Sequence, residues 1–227
     1  MIISGRNPVI EAKKCGKAKK IIVRQGASIH FDNITVPFEV LGRREFEERY
    51  GVETQGVVCE VDDFEYMDLK TILKTSKKYN GVVFLDKIQD PHNYGAIIRA
   101  CHCFGIRHII VPRHDQAQVS PTVFKASAGA LFYTNICQVV NLGQAIDEYK
   151  ANGFKIAAAD INGDINLKET YNIKYPLGVI IGSEGRGIRE SILERADYKL
   201  KINMTADIDS LNASMSCAVI LYQLFSR

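Results

Sequence analysis

No apolar run in this 227-residue chain approaches the roughly 20 residues that a membrane helix requires. The opening residues, MIISGRNPV, lack the apolar segment of a secretory signal. A soluble, cytoplasmic protein is the expectation. Six cysteines, Cys15, Cys59, Cys101, Cys103, Cys137 and Cys217, contain no pair with zinc-site spacing. Cys101 and Cys103 would stand about 200° apart on a helix, too far round to share an ion easily. No metal is expected, and most of the thiols read as buried groups in a reducing compartment. The chain also has no internal repeat, no low-complexity tract, no Walker loop and no GxGxxG fingerprint on a first strand. That speaks against a nucleotide- or nicotinamide-dependent enzyme.

What is present is 46% hydrophobic, enough for a sizeable core in one large or two small domains. The net charge is only +3, but it is unevenly spread. Arg6, Lys13, Lys14, Lys17, Lys19, Lys20 and Arg24 stand against the single acid Glu11. Such a run suits a polyanionic partner or a solvated helix face.

Residues 1–62 read as a small α/β unit. Asn7 is positioned to cap a helix over 8–15, strands are expected at 20–24, 36–40 and 57–61, and a charged helix at 43–50. The polar stretch 63–80 reads as a linker with one short helix at best. Residues 81–227 alternate strands (81–85, 108–111, 136–140, 154–159, 177–181, 198–202) with helices (94–104, 121–130, 142–152, 188–195, 211–225). Ser120 before Pro121 is a helix start, and Gly153 a helix stop. Alternation of this kind builds a parallel sheet covered by helices.

Three segments carry polar residues at the carboxyl ends of apolar strands, where open α/β sheets bind ligands. In LDKIQDPHNYGAIIRACHCFG, Pro91 keeps Asp90 extended and Asn93 is a good cap. Arg99 lies off the apolar stripe of the following helix; it either reaches back to the loop or is solvated. In GVIIGSEGRGI, glycines let backbone approach a ligand. Glu184 there would repel phosphate and suits a cation or a hydrogen-bond donor. In KINMTADIDSLNASMS, Ser210 is a candidate helix cap, while Asn212 and Ser214 are poor helix formers whose side chains could line a pocket.

In this order and spacing, the three segments resemble the motifs of the SpoU family of RNA 2′-O-ribose methyltransferases, within the SPOUT class. The residues that carry the likeness are DPHNYGAIIRACHCFG, GVIIGSEGRGI and INMTADIDSLNAS, spanning most of 81–227. GRNPVIEA and TQGVVCEV resemble the ribosomal-protein-like substrate-binding domain of the branch that modifies large-subunit ribosomal RNA. The resemblance implies a C-terminal trefoil knot and a homodimer with its active site near the dimer interface. It implies S-adenosyl-L-methionine as cofactor and RNA as partner. Asn93, Arg99, Glu184, Ser210 and Asn212 fall at the family's catalytic positions. Gly182, Gly187, Ile202, Met204 and Leu211 fall at or beside those that contact the cofactor. Asn203 and Ala206 depart from the proline and glycine usual there. A transfer RNA enzyme, a resistance-type ribosomal RNA enzyme and a non-catalytic RNA-binding protein are the alternatives within this likeness.

Overall fold

A computed structural model describes residues 1–29, 31, 35–205 and 211–226, without the side chains of Lys77 and Tyr171. The chain opens with β1 (Ile2–Ser4), α1 (Arg6–Lys14), β2 (Lys20–Arg24), β3 (Phe38–Leu41), α2 (Arg43–Tyr50) and β4 (Val57–Glu60). These strands form a four-stranded sheet in the order β1-β4-β2-β3, with only the β2/β3 pair parallel. β1 was not expected from the sequence. Nor is Asn7 the cap of α1: that place is held by Gly5, with no side-chain bond, and Asn7 lies inside the helix.

There follow α3 (Leu69–Ser76), β5 (Gly81–Asp86), α4 (Pro91–Cys103), β6 (His108–Pro112), α5 (Pro121–Ala126), β7 (Asn135–Val139), α6 (Leu142–Ala151), β8 (Lys155–Ala159), β9 (Ile165–Asn166), β10 (Leu177–Gly182), α7 (Glu190–Leu193), β11 (Tyr198–Lys201) and α8 (Ala213–Phe225). β5 to β11 make a seven-stranded parallel sheet in the order β7-β6-β5-β10-β8-β11-β9. All six residues of β5 are buried, as expected of a strand covered on both faces. One core layer joins α4, α5 and α8 to the sheet, and the other joins α3, α6 and α7. Gly95 lets α4 and α5 close together, since a Cβ there would stand 2.5 Å from the Ala126 methyl.

Two helices are shorter than expected. The helix at 121–130 ends at Ala126 and resumes as a 3-10 turn, Ala130–Tyr133, beyond Gly129 at φ 89°. The helix at 188–195 contracts to α7, with Arg189 and Glu194 at its two cap positions. Residues 63–80 are packed rather than loose. Ile72, Leu73 and Ser76 of α3 are buried, the first two in the cluster that contains Val82 and Phe84. The N-terminal sheet shares a core with the parallel sheet: Ile3, Val9, Ile21, Val57 and Cys59 belong to the same cluster as Ile97, Val123 and Leu221. Residues 206–210, between β11 and α8, lie outside the described residues, and the expected C-terminal knot would involve them.

Candidate active site

Strand register sets the site. β5 and β10 are neighbours, and Asp86 pairs with Gly182 at their carboxyl ends. The first two motif loops therefore leave the sheet side by side.

The first loop is organised by Asp90, not Asn93. Asp90 caps α4, with Pro91 in the first turn. Its carboxylate accepts from the His92 amide at 3.0 Å and from the Asn93 amide at 3.2 Å. Asn93 is thereby placed in the first turn with its side chain available. Asn93 Nδ2 donates to Asp90 Oδ2 at 3.0 Å and, in a close contact, to Glu184 Oε1. Two carboxylate acceptors fix the amide orientation and leave Asn93 Oδ1 as an acceptor.

Glu184 sits at the tip of the second loop, which is a tight hairpin. Ser183 and Gly187 exchange backbone hydrogen bonds of 3.1 and 2.9 Å. Each amide donates to the other residue's carbonyl, which closes the hairpin. Gly185 and Gly187 hold positive φ of 77° and 64°, which only glycine adopts freely. Gly182 is required by the same fold-back, since a Cβ there would stand 2.2 Å from the Gly187 carbonyl carbon.

Beneath the hairpin lies an ion pair that sequence reasoning missed. Asp86 is 1% exposed. It accepts from Arg189 Nη2 at 2.7 Å, from Arg189 Nε at 2.9 Å and from the Arg189 amide at 2.9 Å. These bonds raise the Arg189 pKa and fasten the end of the hairpin to the end of β5. The available signal was an acid closing an apolar strand. Its partner lies 103 residues away.

Arg99 is exposed on α4 and has no hydrogen-bond or ion-pair partner among the described residues. Glu184 holds Asn93 instead of Arg99. Asn212 is the cap of α8, accepting from the Met215 amide at 2.8 Å and from Ser214 Oγ at 3.1 Å. Ser210, the expected cap, lies outside the described residues, as does Ala206. Ile202 is half-buried against the core and Met204 is 37% exposed, both just beyond β11. Leu211 is half-buried before α8, and its carbonyl accepts from Ser216 Oγ at 3.4 Å. Gly182 ends β10, and Ile202 and Met204 follow β11; these two strands flank β8. Apolar side chains beside strand-end backbone suit an adenosyl group, which needs a hydrophobic bed and main-chain partners for its polar edge.

Three of the thiols are poor nucleophiles. Burial pushes Cys59 and Cys137 up to about 11 and raises Cys101 as well. Four of the six cysteines are buried, as expected of most of them, while Cys15 is half-buried and Cys103 is exposed.

The SpoU rRNA Methylase family model matches residues 80–222. A Staphylococcus epidermidis protein assigned by name to the TrmH family of tRNA/rRNA methyltransferases is 30% identical over 239 residues, covering 100% of this chain and 96% of its own. The solved structure of the SpoU methyltransferase AviRb from Streptomyces viridochromogenes in complex with AdoMet superposes with a TM-score of 0.78 at 22% identity, covering 100% of this chain and 89% of that one. A structure described as an RNA 2′-O ribose methyltransferase superposes with a TM-score of 0.75 at 18% identity, covering 98% of this chain and 86% of that one. The fold is that of the SPOUT methyltransferases, and the chain belongs to the SpoU rRNA Methylase family.

Proposed function

We propose that this protein transfers a methyl group from S-adenosyl-L-methionine to a ribose 2′-hydroxyl of large-subunit ribosomal RNA, acting in the cytoplasm as a homodimer. The observation that carries the proposal is the Asn93–Glu184 hydrogen bond. It joins two motif loops at adjacent strand ends, in a chain of this family. Solved relatives support the cofactor and the ribose target: one holds AdoMet, and another is described as a 2′-O ribose enzyme. Both span the N-terminal sheet of this chain, as a substrate-binding unit would require.

The cofactor supplies a methyl group already activated by a positive sulfur. Gly182, Gly187, Ile202, Met204 and Leu211 would hold it. The protein's remaining task is to place the hydroxyl in line and to ease the loss of its proton. Asn93 Oδ1, left as an acceptor by the two carboxylates, would take a hydrogen bond from the ribose. As a guanidinium, Arg99 serves as a fixed positive charge beside the developing alkoxide and the neighbouring phosphate. Glu184 holds Asn93 in register. Asn212 fixes the start of α8, and Ser210 belongs to the same set by family position. A second copy of the chain fits α8, where Met215, Val219 and Tyr222 form one exposed apolar stripe.

The test is incubation of the protein with labelled cofactor and unmodified ribosomal RNA, followed by mapping of the modified nucleotide. One 2′-O-methyl at one position is expected. Methylation of a base would overturn the ribose assignment, and methylation of transfer RNA alone would overturn the ribosomal one. Failure to bind the cofactor, with or without RNA, would point to a non-catalytic RNA-binding protein.

A further inference from the structure

A concavity of about 460 Å³ opens at the carboxyl edge of the parallel sheet. It lies past β5, β6 and β7, between the first turn of α6 and the segment that carries α7. Lys87, His114, Arg189 and Arg195 meet there, from separate stretches of chain, with Asp115 as the only acid in the lining. None of the expected cofactor residues lines it.

The two arginines are held by acids outside the lining, and each keeps part of its guanidinium unused. Arg189 gives Nε and Nη2 to Asp86. Arg195 gives Nε to Asp147 at 3.2 Å and Nη1 to the Ser191 carbonyl. Arg189 Nη1 and Arg195 Nη2 have no acceptor among the described residues. The Arg195 guanidinium lies along Gly143, where a Cβ would stand 3.0 Å from Cζ, so glycine is what admits it. Lys87 pairs with Asp115 at 2.7 Å, but both side chains are substantially exposed. A pair so exposed is weak and leaves Lys87 able to share an incoming anion.

We infer that this concavity binds a phosphodiester group of the RNA strand next to the target nucleotide. The inference rests on the proposed RNA substrate. Guanidinium forks with spare N–H groups match phosphate oxygens in direction and charge. Lys87 directly follows Asp86, so a strand leaving the Asn93–Glu184 site would meet the concavity at once. Here the sheet edge would contribute to substrate register, separately from the N-terminal sheet.

The experiment uses the full chain with Lys87→Ala and His114→Ala combined, two loop residues with no assigned part in the chemistry. The double variant should bind the methylated RNA fragment at least tenfold more weakly. Its slope of log affinity against log salt should fall by about 1 to 2, while cofactor affinity is unchanged. RNA affinity and salt slope equal to those of the unaltered protein, in a protein that does methylate RNA, would overturn the inference and leave the function standing. A second readout does not depend on turnover. The His114 ring resonances should move when a dinucleoside monophosphate is added and stay still when adenosine is added. Resonances that ignore both overturn the inference even if the protein methylates nothing.

Discussion

In the N-terminal sheet, Lys14, Lys20 and Arg24 sit on Glu11, Glu39 and Glu47 at 2.7, 2.6 and 2.9 Å, and Lys19 sits on Asp62. At the carboxyl edge of the parallel sheet, Arg99, Arg113 and Arg186 have no ion-pair partner among the described residues. A count of basic residues along the sequence marked the first region as the polyanion surface. The structure shows that much of that charge faces an internal acid. A paired cation meets a phosphate only through the N–H groups its acid leaves unused, whereas an unpaired one contributes its full field. Arg113 and Arg186 follow the carboxyl ends of β6 and β10, so the proposed RNA contacts extend toward the site of chemistry.

The comparison breaks most visibly if residues 1–62 are removed. They supply Ile3, Val9, Ile21, Val57 and Cys59 to a cluster that continues into α4, α5 and α8. The remaining chain should aggregate, or melt more than about 10 °C lower, when followed by circular dichroism. A truncated protein with an unchanged melting temperature would show that the N-terminal unit is an appendage after all.

Arg189→Ala comes next. It leaves Asp86 buried without its guanidinium and should cost about 3 kcal/mol in denaturant unfolding. A loss within error of zero would mean that the hairpin is not fastened through this pair.

His108, at the opposite end of β6 from the motif loops, gives a pH handle that leaves both regions alone. Burial, with a smaller contribution from Arg107, holds its imidazole down to about 4 against an ordinary 6.5. Its ring meets Thr75 Oγ1 at 2.8 Å, which ties α3 to the sheet. The neutral ring is the native form. Its contribution is therefore complete above pH 6.5 and is lost as pH falls from 6.5 toward 4, by at most about 3 kcal/mol. His108→Gln should flatten that part of the stability profile. An unchanged profile would contradict the assignment.

Much of the fold was legible because it rests on local patterns. The buried strand read at 81–85, the Ser120 cap and, apart from the short β9, the alternation after residue 80 appear as read. The first segment also pointed to its loop, though it named the wrong cap. Asp90 and Asn93 are both good cap residues, and the choice depends on which backbone amides lie within reach. The Asp86–Arg189 pair and the shared core were not legible, since both join residues far apart in sequence. The hairpin at 183–187 was hidden for another reason: glycine-rich sequence fits several turns, and only the register of β10 beside β5 selects one.

A smaller effect separates the two charged regions directly. Arg186→Ala should lower the salt slope of RNA binding by about 1. Arg24→Ala, whose guanidinium is half-buried against Glu47, should leave it unchanged. Equal losses for the two would return the RNA surface to the N-terminal sheet.

The account turns on a division of labour, with cofactor contacts past β10 and β11 and substrate contacts on α4. Arg99→Ala tests it most directly, with cofactor affinity read by calorimetry and methyl transfer read on the same sample. The prediction is unchanged cofactor affinity and melting temperature, with methyl transfer lowered at least a hundredfold. Full residual methyl transfer would contradict the account.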